Sequence, residues 1–436
     1  MVAELEDYVR SLGLDAYLVG GAVRDELLGL QSKDADFLVP GVDTERLRTA
    51  LAPHGRVEDL VVAERLVGVR LHPRDKTVRA LAPAGIEFAP PRREVSTGPG
   101  RHDFEIVADA SLSVEDDMRR RDFTVNAMAR HLSDGAIVDP LDGRADLERR
   151  ILRSVSATSF AEDPLRLVRG LRFMSQLGFQ LDEATRAQMV EEAGAVGLVS
   201  GERISDELAK LLLGPHPRDA LVAARDTGVL AELIPEFGPA HYLTDHIFAV
   251  VQSSADAGDE LAVRLAALFH DVGKPIDSSP RGHAQVAADI AQATMERLRY
   301  PTRLTRRVAA IVREHPYYAE ERPTTPRAAR RFLMEHGDEL TSDLVAIRLA
   351  DLRGKDRDTR QLEEAAALLE QERSSPHRVQ DLAVDGGDLI AAGLEEGPAL
   401  GRALHALLEA VVDDPALNTR EALLEQLKER GWPQSI

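Results

Sequence analysis

Hydrophobic periodicity changes once along this chain, near residue 150, and that change restricts the fold more than any other feature. Before it, AYLVGG, DADFLV, VGVRLH, GIEFA, DFEIVA and GAIVDP read as short strands bounded by Gly, Pro or Asp. After it, LRLVRGLRFMSQLGF, ISDELAKLLLG, LAVRLAALFHDVG, AQATMERLRY, LTRRVAAIVREH and DLVAIRLADL carry helical spacing. The pattern predicts an α+β head with a mixed sheet and helices at 1–150, then helices only. Breaks at GPHP (214–217), IPEFGP (234–239) and ERSSPH (372–377) suggest joints and divide the helical part into 151–215, 216–372 and 373–436.

Composition removes several classes of protein. With no cysteine there is neither a disulfide nor a thiolate metal site, which fits a cytoplasmic protein. The start, MVAELEDYVR, has no apolar core of a signal peptide, and no apolar run reaches membrane-spanning length, so no membrane role is expected. A net charge of −20 argues against general nucleic-acid binding, because phosphate affinity rests on Lys and Arg. Arg297–Arg331 is the exception, with ten arginines against Glu314, Glu320 and Glu321. That stretch reads either as a solvated helix face or as a local phosphate track.

Within the head, YLVGGAVRDELLGLQSKDADFLV orders a strand, two glycines, a helix and a second strand. Gly20 and Gly21 allow close backbone approach to a ligand and positive φ, and Arg24 lies in the first helical turn behind them. Leu27 and Leu28 are expected to pack inward. Asp34 and Asp36 alternate with Ala35 on a strand, so they face the same way, roughly 6.6 Å apart. Two such carboxylates can share Mg²⁺ ions that also hold triphosphate oxygens. The plainer reading is a turn followed by a solvated strand face.

GGAVRDELLG…DAD resembles the nucleotide-binding signature of the class II tRNA nucleotidyltransferase/poly(A) polymerase family, in the polymerase β superfamily. RRRDFTVNAMA, 119–129, matches that family's RRDFTxNA motif. Read from the residues alone it is a helix start with an arginine cluster, Asp122 and Asn126 lying one helical turn apart. The resemblance assigns Arg121, Asp122 and Asn126 to ribose and triphosphate. FAEDPLRLVRGLRF, 160–173, matches the family's EDxxR motif. Asp163 before Pro164 could be a helix cap, and Arg166 could pair with Glu162. A carboxylate and an arginine side by side also suit the amine and ring nitrogen shared by cytosine and adenine, and leave guanine and uracil unpaired. The resemblance implies that Glu162, Asp163, Arg166, Arg169 and Arg172 bind and select the nucleotide. REVSTGPGRHDFEI, 93–106, is similar to a flexible loop of the family, or is a plain hairpin. Glu87 in GIEFA is a possible third metal carboxylate.

The helical half carries TDHIF, LFHDVGKP, RGHA, REH and RLADLRG in that order. These look like an HD-type phosphohydrolase with His246, His270, Asp271 and Asp351 as metal ligands. Imidazole with carboxylate suits Ni²⁺, Mn²⁺, Mg²⁺ or Fe. His283 and His315 either widen the site or bind phosphate, and Lys274 binds phosphate or caps a turn. The resemblance therefore implies a polymerase β-like head, a helical neck, an HD domain and a C-terminal helical tail. It implies addition of C, C and A to the tRNA 3′ end from CTP and ATP with Mg²⁺, plus a phosphatase or 2′,3′-cyclic phosphodiesterase activity. Addition of CC or A alone, poly(A) synthesis, and an HD hydrolase with a binding-only head are the alternatives. An oligomer is compatible with the sequence.

Overall fold

The structure, a computed structural model, describes residues 2–31, 35–62, 65–96, 104–238, 240–316 and 322–431. The chain forms two compact units, Met1–Pro235 and Glu236–Ile436. The strands of the first unit are β1 (Tyr17–Val19), β2 (Asp36–Leu38), β3 (Gly55–Val62), β4 (Arg65–Pro73), β5 (Ile86–Ala89), β6 (Arg92–Ser96), β7 (Phe104–Ala108), β8 (Ala129–His131) and β9 (Ile137–Val138). Seven of them form one sheet in the order β3-β4-β5-β2-β1-β8-β9. β2 and β5 run parallel, and the other neighbours are antiparallel. β6 and β7 pair as a separate hairpin.

The central strands are short and covered on both faces. Leu18 and Phe37 meet Phe88, Val69 and Val9 on one side. Val19 and Leu38 meet Met118 and Ala129 on the other. Burial on both faces explains why β1 and β2 read as unbroken apolar runs rather than as alternation. The register sets Asp36 beside Val19 of β1 and beside Glu87 of β5.

Three local expectations are corrected. Leu27 is 37% exposed, and the short helix Gly21–Leu27 buries Ala22, Val23 and Arg24 instead. Strand β3 went unread because Glu58 and Asp59 interrupt its apolar pattern. Strand pairing does not stop at 150, since Ile151–Leu152 pairs in parallel with Gln180–Leu181.

The second unit is helical. Leu261–Phe269 is buried from Ala262 through Phe269, so its side chains are apolar around almost the whole circumference, and it ends at His270. Around it lie Thr244–Asp256, Pro280–Arg297, Thr302–Glu314 and Pro326–Arg353. The last of these breaks at Gly337, whose φ of 72° lies outside the helical range. Pro398–Asp413 buries Leu407, Leu408, Val411 and Val412 against Leu423 and Leu427. Within the arginine-rich stretch, Arg307 pairs with Asp343, Arg327 and Arg331 share Asp413, and Arg330 meets Glu372. Among the described residues no helix is long and apolar enough to cross a membrane.

Candidate active sites

The first site is built on the turn after β1. Gly20 has φ of 69°, and a Cβ there would collide with the Arg121 guanidinium. The backbone angle is what favours glycine here, and any side chain would also displace the Arg121 guanidinium. One turn on, buried Arg24 donates from Nη1 to Asn126 Oδ1 at 2.7 Å and from Nε to Asp25 at 2.8 Å. Asn126 Nδ2 donates to Asp122 Oδ1 at 3.1 Å, and Arg169 Nε donates to Asp122 Oδ2 at 2.9 Å. The Phe123 backbone N–H closes the set at 2.8 Å. Burial pushes the Asp122 carboxyl up, but the Arg169 charge and these donors outweigh it and hold the group at about 2. Asp122 and Asn126 do not share a helix as expected. The helix Val114–Arg119 ends before them, and Asn126 closes a 3-10 turn, yet the two side chains still meet.

Arginines converge on one ring. The Arg172 guanidinium lies 4.1 Å from the Phe173 centroid, with Arg24 at 5.3 Å and Arg169 at 5.7 Å. Arg172 also pairs with Glu207 at 3.0 Å. The cluster concentrates positive charge while giving each group an internal partner.

A cleft of 370 Å³ beside this cluster is lined by Asp36, Glu87, Arg70, Asp117, Arg120 and Arg121, among others. Asp36 is exposed, and Glu87, next to it on the parallel strand, shares its face of the sheet. Glu87 accepts from Arg70 Nε at 3.2 Å. Fully buried Asp117 holds Arg120 at 2.9 Å and Arg121 at 3.3 Å, aiming both along the cleft wall. Asp34 and the loop 97–103 lie outside the described residues.

Asp163 and Arg166 are joined through the backbone, Arg166 N–H donating to the Asp163 carbonyl at 2.9 Å, while their side chains have different partners. Arg166 is buried and donates to Ser159 Oγ at 3.0 Å, Glu162 at 3.3 Å and the Arg120 carbonyl at 2.9 Å. Asp163 accepts from the Leu165 N–H at 3.2 Å and from Arg203 at 3.0 Å. Arg203, Glu207 and Asp117 went unread. Arg203 and Glu207 belong to Gly201–Leu212, which reads as an ordinary amphipathic helix. Phe173 sits inside FAEDPLRLVRGLRF, one residue after Arg172, and that adjacency was the available signal.

The second site lies within the helical unit. His246 from Thr244–Asp256, His270 and Asp271 after Leu261–Phe269, and Asp351 from Pro326–Arg353 all meet. His246 Nε2 is 3.3 Å from His270 Nε2, from Asp271 Oδ2 and from Asp351 Oδ1. Lys274 pairs with Asp271 at 2.6 Å, while Lys355 and Arg348 pair with Asp351, each at 2.6 Å. Burial raises the Asp271 carboxyl, but the charge of His270 and bonds from His246, His270 and Lys274 hold it far below the carboxylate range. Asp351 is likewise lowered against burial, by His246, His270 and Lys355. Burial lowers His246, but the two carboxylates outweigh it and leave that imidazole raised. His315 is pushed down to about 3 by burial and by the charge of His270.

The donor sets fit different ions. Carboxylate oxygens at the cleft suit Mg²⁺, a hard cation that keeps some of its water. Imidazole nitrogens with carboxylates suit Mn²⁺, Ni²⁺ or Fe²⁺. His270 Nδ1 donates to the Ala267 carbonyl at 2.8 Å, so in the neutral ring Nε2 is the acceptor, and in the charged ring Nε2 donates to Asp271.

Fold and sites together define a nucleotidyltransferase-type head with a helical extension. Residues 16–153 match the poly(A) polymerase head domain, 178–240 the RNA and SrmB-binding site of polymerase A, and 283–427 tRNA nucleotidyltransferase domain 2. The multifunctional CCA protein of Thioalkalivibrio sulfidiphilus is 35% identical over 428 residues, covering 90% of this chain and 96% of that protein. The corresponding protein of Methylococcus capsulatus is 36% identical over 431 residues, covering 92% and 94%. The Bacillus stearothermophilus CCA-adding enzyme, solved in complex with CTP, superposes with a TM-score of 0.70 at 25% identity, covering 99% of this chain and 97% of that one. The chain belongs to the tRNA nucleotidyltransferase/poly(A) polymerase family, among the multifunctional CCA proteins.

Proposed function

We propose that the chain is a cytoplasmic enzyme that completes the 3′ end of tRNA by adding C, C and A from CTP and ATP. Near full-length similarity to multifunctional CCA proteins carries this reading, together with the ordered network behind Gly20. In the reaction the terminal ribose hydroxyl bonds to the nucleotide α-phosphorus, the bond to pyrophosphate breaks, and the hydroxyl proton passes to solvent. Asp36, with Asp34 and Glu87, would hold Mg²⁺, which neutralises the developing charge and activates the hydroxyl. Arg120 and Arg121 line the cleft and would meet the phosphate oxygens of a nucleotide held there. Asp122 is saturated by protein donors, so it works as a positioning residue that fixes Asn126 and Arg169. Asp163, set by Arg203, and Arg166 select the base. Residues 1–150 act as the head and 151–215 as the neck, with 216–372 as hydrolase and 373–436 as tail.

The His246–Asp351 cluster supports a second activity, hydrolysis of phosphate esters at RNA ends. There a water oxygen bonds to phosphorus and the ester P–O bond breaks, the leaving oxygen taking the proton. His246, His270, Asp271 and Asp351 would hold a divalent metal that polarises the phosphate.

The test uses tRNAs ending before CCA, after C and after CC, with Mg²⁺ and each nucleotide singly and then CTP with ATP. Addition of C, C and A that then stops, with no G or U, is expected. CC alone, A alone or a long A tail selects a specialised relative. No extension with phosphate release intact leaves the head as a binding module.

A further inference from the structure

The face of the head sheet that bears Asp36 carries a row of charges across four strands. Register sets Asp36 of β2 beside Glu87 of β5, Glu87 beside Arg70 of β4, and Arg70 beside Glu58 of β3. Partners in register share a face, and neighbouring strands lie about 4.8 Å apart. The row therefore reads negative, negative, positive, negative. Arg70 is its one cation, and it stands two strand spacings from Asp36.

Arg70 has a carboxylate on each side and takes one of them. Glu58 is occupied by His72 Nε2 at 2.9 Å and by Arg56 Nη1 at 2.5 Å. Glu87 receives the guanidinium instead. Arg70 Nε donates to Glu87 Oε1 at 3.2 Å, and Arg70 Nη2 donates to the same oxygen. A glycine fixes that choice. Gly85 has φ of 94°, and a Cβ there would lie 2.6 Å from Arg70 Cγ and 2.9 Å from Arg70 Cδ. The Arg70 stem thus rests on bare backbone, and any side chain at 85 would push it aside.

The pair is unfinished on both sides. A guanidinium has five N–H donors in a fixed fork, so it can serve two acceptors along two edges. The edge formed by Nε and Nη2 is spent on one carboxylate oxygen. Among the described residues Arg70 Nη1 has no acceptor and Glu87 Oε2 has no donor. Both side chains line the cleft together with Asp36, Arg120 and Arg121. Arg120 and Arg121 follow the helix Val114–Arg119, whereas Arg70 comes from the sheet, so the cleft presents cations from two elements.

We propose that Arg70 binds substrate, its Nε and Nη2 edge held by Glu87 and its Nη1 edge taking a non-bridging oxygen of the incoming nucleoside triphosphate. This rests on the nucleotidyltransferase reading above and adds a residue to it from a strand outside every motif in the sequence. Because the contact is to phosphate, it serves CTP and ATP alike and has no part in choosing the base.

The test is calorimetric binding of CTP and of ATP, with Mg²⁺ and without tRNA, to the full chain and to its Arg70→Met, Arg70→Lys and Glu87→Gln variants. The paired side chains are 34% and 40% exposed, so the variants should fold, and an unshifted melting curve records it. Arg70→Met keeps the stem over Gly85 and should weaken CTP and ATP by the same factor, roughly tenfold, as one charge-assisted hydrogen bond is lost. Arg70→Lys keeps the charge without the fork and should lose nearly as much. Unchanged affinity in Arg70→Met overturns the phosphate contact. Loss for only one of the two nucleotides overturns its independence of the base, and full affinity in Arg70→Lys overturns the fork. Arg70→Met combined with Glu87→Gln should lose less than the product of the two single losses, and losses that multiply overturn Glu87 as the group that positions Arg70. A parent chain that binds neither nucleotide overturns the nucleotidyltransferase reading and this role with it. A parent chain that binds both, with every variant equal to it, overturns the role of Arg70 alone.

Discussion

Asp122 in the head and Asp271 in the helical unit are both buried carboxylates held below their ordinary range, yet their surroundings are opposite. Asp122 meets N–H groups, from Arg169, Asn126 and Phe123. Asp271 meets two imidazole nitrogens, from His246 and His270, and the ammonium of Lys274. The first carboxylate is complete and acts by holding others in place. The second is shared among side chains that titrate or ionise on their own and that come from separate helical segments. A lowered carboxyl therefore does not identify a ligand site until the atoms around it are separated into donors and acceptors.

Crossed substitutions break the comparison most severely. Asp36→Ala should lower nucleotide addition by about 10²–10³-fold or more while leaving phosphate release unchanged. His270→Ala should do the reverse. Extension gels and a phosphate-release assay on the same preparations check both, and loss of both activities in either variant would mean that the two sites are not independent.

Asp122→Ala comes next. Removing one partner of a buried charge pair costs about 3–5 kcal/mol, so the head should melt earlier in calorimetry even though no substrate contact is lost. The pH dependence sharpens this. With the folded carboxyl at about 2 and the unfolded one near 3.8, Asp122 contributes about 2 kcal/mol. That stability is fully present above pH 3.8 and is lost as pH falls through 2. Asp122→Asn should flatten the acid limb of the stability curve between those values, and an unchanged limb would place the acid sensitivity elsewhere. Arg203→Ala should have the smallest effect, a several-fold relaxation of C and A against G and U measured by single-nucleotide incorporation, because its pairing with Asp163 is partly exposed.

How much was legible follows from the same comparison. The head residues lie in contiguous runs, so strand alternation and glycine chemistry named Gly20, Arg24 and Asp36, and the resemblance of RRRDFTVNAMA to a family motif named Arg121 and Asn126. His246, His270, Asp271 and Asp351 come from three separate helical segments and were named through the resemblance of their ordered motifs to an HD-type phosphohydrolase. That Asp271 meets His246 and His270 with one oxygen and approaches His283 with the other was not legible, since it depends on how the helices pack. Nor was the inward turn of Arg166, which nearby Ser159 secures together with the Arg120 carbonyl, 46 residues away. Pattern reports which face a side chain occupies; what it meets there is decided by the tertiary fold.

The break at Gly337 has a mechanical consequence for accuracy. Pro326–Arg353 spans 28 residues, and it carries Asp351 near one end and the arginines that grip Asp413 near the other. From Gly337 to Asp351 an unbroken helix would make an arm of roughly 21 Å, so a 10° tilt at the far end would move the carboxylate by about 3–4 Å. The interrupted helix isolates the Asp351 carboxylate from such leverage, so the tail can change its packing angle while Asp351 stays 3.3 Å from His246 and 3.8 Å from His270.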